Sequence, residues 1–131
     1  MKILKWILIV LGVLVIILVI AFVFFRLRYN KMVDVIDSVQ LEQIDLRQIE
    51  NGVYRGTFGE FLVSVTLDVT IEDHEIKKIE IIDQKSGPGY EAREVIDRII
   101  QAQSLDVDAV TGATGSSKCI KIAVQNALQK Q

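Results

Sequence analysis

The sequence holds one cysteine, one histidine and one proline. A single cysteine excludes an intrachain disulfide framework and a multi-cysteine metal site. One histidine beside it makes a zinc centre or a Cys–His nucleophile pair a poor reading of the chain. No G-x-G-x-x-G run follows a strand pattern, so a nicotinamide site is not indicated. No acidic residue precedes Asp34, and residues 6–25 hold no charge, no proline and no polar side chain except the indole of Trp6. Residues 1–31 therefore carry five basic and no acidic residues, a net +5, while residues 32–131 carry ten basic and 17 acidic, a net −7. The overall charge of −2 averages two unlike segments. The acidic body argues against phosphate-backbone binding, which needs clustered Lys and Arg, so no nucleic-acid partner is expected. Its hundred residues make one small domain that buries roughly 60–65% of its unfolded surface, with no room for a second catalytic domain.

What is present begins with WILIVLGVLVIILVIAFVFF at positions 6–25. As a helix rising about 1.5 Å per residue it spans about 30 Å, the thickness of a bilayer's hydrocarbon core. Trp6 and Tyr29 suit the two interfaces, and Lys2, Lys5, Arg26 and Arg28 suit snorkelling toward headgroups. A cleaved signal peptide would have a shorter apolar core and a small-x-small site, and Phe22-Val23-Phe24-Phe25-Arg26 after Ala21 is not one. A buried core helix fails because so small a domain has no interior to enclose it. Residues 1–31 are therefore read as a transmembrane anchor contacting membrane lipid. The basic residues on its two sides are nearly tied, so charge does not orient it.

Residues 32–50 place Val33, Ile36, Val39, Leu41, Ile44, Leu46 and Ile49 at spacings that mix helical and alternating periods. They read as a tether, helical at first, free to sweep roughly 25 Å as a flexible chain. Asn51-Gly52 is a turn signal, and residues 51–131 form the domain proper. Val53–Thr57 reads as a short strand, and Gly56 with Gly59 suggests a bulge or tight turn. Residues 61–71 alternate, with Val63, Val65, Leu67, Val69 and Ile71 on one face and Ser64, Thr66, Asp68 and Thr70 on the other, the pattern of a half-buried antiparallel strand. Asp73-His74 sits at the hairpin turn, and residues 76–82 return. Residues 85–90 are a loop with the sole proline. Residues 91–103 put Ala92, Val95, Ile96 and Ile99 on one helical face. A short extended segment at 107–110 and a small-residue loop at 111–117 precede a helix from Lys118 to Gln129, with Ile120, Ala123, Val124, Ala127 and Leu128 inward. The expected fold is α+β: a small antiparallel strand meander packed with two helices, preceded by one transmembrane helix.

The chemistry-bearing stretch is Asp108-Ala109-Val110-Thr111-Gly112-Ala113-Thr114-Gly115-Ser116-Ser117. Its hydroxyls and two glycines stand at the entrance of a helix, where unpaired N–H groups and the dipole favour an anion. Gly112 and Gly115 permit close backbone approach. The same residues describe an ordinary capped helix with Ser116 or Ser117 at the N-cap, and composition alone favours that reading.

Residues 51–128 resemble the FMN-binding domain of the flavin-carrying membrane subunits of ion-pumping NADH:quinone and ferredoxin:NAD oxidoreductases, also found in other anchored and extracellular electron-transfer flavoproteins. The resemblance rests on several blocks in order: Asn51-Gly52-Val53-Tyr54-Arg55-Gly56, the hairpin with Asp73, Lys85-Ser86-Gly87-Pro88-Gly89-Tyr90, Gln103–Asp108, and Thr111-Gly112-Ala113-Thr114. The last block resembles the family's flavinylation motif: an Asp, two variable residues, Ser or Thr, then Gly-Ala-Thr. It implies that Thr114 takes FMN as a phosphoester from a separate Mg²⁺-dependent flavin transferase that uses FAD. It assigns Asp108, Thr111, Gly112 and Ala113 to the recognition motif, while the helix-entrance reading places Gly115, Ser116 and Ser117 beside the phosphate. It places the loop of Gly87, Pro88, Gly89 and Tyr90 next to the flavin.

The resemblance further implies an electron carrier rather than a stand-alone enzyme. Its partners would be a membrane electron donor, such as a quinone or NADH dehydrogenase, and a downstream acceptor. The domain would lie outside the cytoplasmic membrane. A non-covalent FMN module, as sensor or accessory, and a flavin-free anchored interaction domain are the competing readings. The sequence departs from the family at Gln84, where His is common, at His74, where Gly is usual, and at Gly115, where a larger residue is common. Cys119 reads as a small buried residue.

Overall fold

The computed structural model describes residues 1–87 and 89–129. Three strands, β1 (Gly52–Glu60), β2 (Val63–Glu72) and β3 (Glu75–Lys85), form one antiparallel sheet in the order β1-β2-β3. The period-two pattern of β2 is realised: Val65, Leu67, Val69 and Ile71 are buried, while Ser64, Thr66, Asp68 and Thr70 remain partly exposed. Asp73 and His74 join β2 to β3 with φ of +52° and +62°. A two-residue hairpin loop needs such positive-φ residues because only then does its twist match that of the strands. Register shifts opposite Thr66/Leu67 and Thr70/Ile71 bend β3, and Ile82 is left exposed beyond the first of them.

Two helices follow, α2 (Glu94–Ala102) and α3 (Thr114–Gln129), and both pack on the sheet. The fold is thus α+β: a three-stranded meander and two helices, after a long apolar N-terminal helix. Helix α2 is shorter than the expected 91–103 because Ala92, buried at φ +55°, is outside the helical region. Its end is fixed by Gln103, left-handed at φ 51°, whose side chain accepts the Ile76 N–H at 2.7 Å and donates to the Ile76 carbonyl at 2.9 Å. Helix α3 begins at Thr114, four residues before the expected Lys118, so Ser116 and Ser117 lie in its first turn and neither is the N-cap. Ile120, Ala123, Val124, Ala127 and Leu128 are buried as expected, and so are Cys119, Lys121, Ile122 and Gln125. A helix buried nearly all round is covered on more than its sheet side.

The second cover is the segment expected as a free tether. Helix α1 (Lys2–Ser38) runs on into it, and Met32, Ile36 and Ile49 belong to the core. Lys118 donates to the Asp37 carbonyl at 3.0 Å, Gln125 accepts the Glu42 N–H at 2.7 Å, and Gln129 donates to the Glu42 carboxylate at 3.0 Å. Residues 32–131 form one compact unit and residues 1–31 another. The sweeping tether is therefore corrected to a fastened one. Its mixed periodicity records a change of conformation, from helix through an extended run to a 3-10 turn at Leu46–Gln48, with one apolar side held on the domain throughout. By length and composition α1 is able to cross a membrane, and no part of its most apolar window is buried.

Candidate functional site

The stretch entering α3 is built as a turn locked to a helix. Ala113 donates its N–H to the Val110 carbonyl at 2.9 Å, and Gly112 between them has φ +79°. That is the residue and sign a type II turn demands at its third position. Ser117, fully buried, locks the turn: its Oγ accepts the Val110 N–H at 2.9 Å and donates to the Ala113 carbonyl at 2.8 Å. The Ser117 N–H also donates to the Ala113 carbonyl, at 2.9 Å, as the first full turn of α3. The N–H groups of Thr114, Gly115 and Ser116 precede that bond and have no acceptor one turn back within the helix. Thr111, Gly112, Thr114 and Gly115 are exposed, whereas Ala113, Ser116 and Ser117 are buried. The Thr114 hydroxyl thus stands at an accessible helix N-terminus, and the Ser117 hydroxyl is committed to the backbone.

The segment before the turn is held from behind by two cations. Arg98 of α2 donates through Nη1 to the carbonyls of Asp108 at 3.0 Å and Ala109 at 2.9 Å. Lys121 of α3 donates to the Val107 carbonyl. Burial lowers the Lys121 pKa, and the Asp106 and Asp108 carboxylates partly oppose that shift. Asp108 is exposed and, with Thr111, lines an open groove of about 820 Å³ between the segment and Arg98, Gln101 and Ala102 of α2.

The glycine-bearing loop forms a turn in which Tyr90 donates its N–H to the Gly87 carbonyl at 3.0 Å and Gly89 has φ +81°. Gly87, Gly89 and Tyr90 are exposed, and Pro88 lies outside the described residues. Gln84 closes the loop's base, donating to the Glu91 carbonyl at 2.6 Å, while its buried Oε1 has no partner among the described residues. A cleft of about 330 Å³ is lined by Gly89, Glu91, Ala92, Arg93, Glu94 and Val110. The glycine loop and the motif turn, 21 positions apart from Gly89 to Val110, therefore share one cleft. His74 is a turn residue whose Nδ1 lies 3.2 Å from the Ile49 carbonyl. Cys119 is buried, and its thiol is pushed up to about 11 by desolvation.

Arg98 and Lys121 were not among the residues singled out by motif. A signal existed for Lys121, a charge set between Ile120 and Ile122 in the apolar run from Cys119 to Val124. Nothing in the spacing of Arg98 distinguishes it from a solvated charge on α2.

A family model described as an FMN-binding domain matches residues 63–129, from β2 to the end of α3. No curated protein matches the chain.

Proposed function

The chain belongs to the FMN-binding domain family, and from that premise we propose that it is a membrane-anchored electron carrier whose FMN is esterified to Thr114. The observation that carries this reading is the exposed Thr114 in the first turn of α3, held there by the Val110–Ala113 turn. A phosphate at that position meets unpaired N–H groups and the positive end of the helix dipole, which need no basic surface to bind an anion. Gly112 and Gly115 add no side chain over it, and a Cβ at either would meet nothing within 4 Å. These residues suit a flavin phosphate. The shared cleft of Gly89 and Val110 offers the rest of the flavin a surface beside its point of attachment.

Attachment needs a transferase and FAD. Thr114 Oγ displaces AMP from the flavin-side phosphorus. A P–O bond to Oγ forms, the P–O bond to the AMP phosphate breaks, and the hydroxyl proton is lost to solvent. Bound FMN then supplies the redox chemistry, while the protein supplies placement and electrostatics. Helix α1 ties the carrier to a bilayer, near a membrane electron donor such as a quinone or NADH dehydrogenase and a downstream acceptor. The domain is assigned to the outer side of the cytoplasmic membrane. Protease added to intact spheroplasts should then cleave it, and cleavage seen only after lysis would refute that placement.

The attachment is tested by co-expression with a flavin transferase. The denatured protein should stay fluorescent on a gel, and Thr114→Val should abolish the signal. Yellow colour released completely by acid would instead mark a non-covalent FMN module. A colourless protein would mark a flavin-free interaction domain.

A further inference from the structure

We propose that Arg98 and Lys121 are positioning residues for flavin attachment, two cations that fix the backbone ahead of Thr114 in the shape the transferase reads. The inference rests on Thr114 being the acceptor. Its basis is a run of consecutive backbone groups, each bonded from outside the segment or across the turn. Lys121 takes the Val107 carbonyl, and Arg98 takes those of Asp108 and Ala109. Ser117 takes the Val110 N–H, and the Ala113 N–H takes the Val110 carbonyl.

The donors come from different elements, Arg98 from α2 and Lys121 and Ser117 from α3. The segment thus links the two helices and cannot shift as a loop independent of them. Carbonyls of surface loops are ordinarily satisfied by water, so charged donors are not required to fold such a segment. Lys121 is buried, and burial disfavours its charge, whereas a Met would fill a similar volume without that cost. What the two cations provide is rigidity of the stretch that ends in the acceptor. Both cations bond backbone carbonyls, and the Asp108 carboxylate stays exposed for a partner to recognise.

A segment that is competent only part of the time weakens apparent affinity in proportion to its competent fraction. Loss of either clamp should therefore raise the transferase's KM for this chain more than it lowers kcat. With the purified chain, FAD, Mg²⁺ and a flavin transferase, Arg98→Met, which removes both bonds from Nη1, is expected to raise KM about tenfold or more. Arg98→Lys, which keeps one charged donor, should fall between Arg98→Met and wild type. Lys121→Met should act in the same direction, and the double variant should exceed either alone. In the unmodified chain, hydrogen exchange of the Val110 and Ala113 amides should quicken in Arg98→Met while that of the β2 amides holds. If Lys121→Met fails to fold, the two Arg98 variants carry the test, because Arg98 is only half-buried. Wild-type KM in both Arg98 variants, with the wild-type chain itself modified, overturns the positioning role and leaves Thr114 as acceptor. A wild-type chain that stays unmodified overturns both.

Discussion

Gly56 on β1 and Ala127 on α3 stand so close that a Cβ added at Gly56 would lie 2.7 Å from the Ala127 Cβ, and closer still to the Ala123 carbonyl. The strand and the helix meet backbone to backbone there, which seats the whole of α3, and with it Thr114, against the sheet. Gly56→Ala is expected to destabilise the domain by about 1–3 kcal/mol, the usual cost of overpacking. Thermal unfolding followed by circular dichroism should show the loss. Gly115→Ala is the contrasting case. A Cβ there meets nothing within 4 Å, and alanine in place of glycine in a helix should stabilise by roughly 0.5–1 kcal/mol. An unchanged midpoint for Gly56→Ala would contradict the packing.

Gly112 carries the sharpest turn of the motif, at φ +79°. Alanine has room there but not the conformation, so Gly112→Ala should cost about 1–2 kcal/mol of strain or reshape the turn. The expected readout is slower flavin attachment at Thr114 with the sheet intact. Attachment at the wild-type rate would show that the turn is not what the transferase recognises.

Much of this fold was legible because β2 alternates cleanly and the inward residues of α3 recur at helical spacing. Both patterns follow from burying one face, a local consequence of sequence. The start of α3 was misplaced by four residues because Thr114, Gly115, Ser116 and Ser117 resemble a cap and a loop. The buried Ser117 bond to Val110, a tertiary contact, draws them into the helix. The docking of residues 32–50 is hidden from local sequence for a similar reason. It depends on Lys118, Gln125 and Gln129, more than 80 positions away from their partners at Asp37 and Glu42. The proposed acceptor, Thr114, stands in a motif, whereas the cations behind it do not. A side chain that donates to a carbonyl leaves no pattern in the residue it serves.

Cys119 is 1% exposed, and its thiol is raised to about 11 by burial. At pH 8 it should remain a protonated thiol and resist alkylation in the native protein. Mass spectrometry after iodoacetamide should show one added carbamidomethyl group only in denaturant. Rapid native labelling would mean that α3 opens readily.

On the outer face of the sheet Arg55 pairs with Asp68 through Nε at 2.7 Å and Nη2 at 2.9 Å. The arginine holds the Asp68 carboxyl below its ordinary value. A depressed carboxylate pKa stabilises the fold above the unfolded value and stops doing so as pH falls through the folded one. The arginine is largely exposed and the aspartate only partly so, and Arg55→Met should cost about 1 kcal/mol at neutral pH. That difference should vanish as the solution is acidified below the ordinary carboxylate range. A difference that persists in acid would assign it to packing of the arginine stem instead.

The most direct test of a covalently held flavin is the intact mass of the chain after co-expression with a flavin transferase. The mass should rise by one FMN less one water, and fragment spectra should place the addition on Thr114. An unmodified mass under those conditions, or the addition on any other residue, would contradict it.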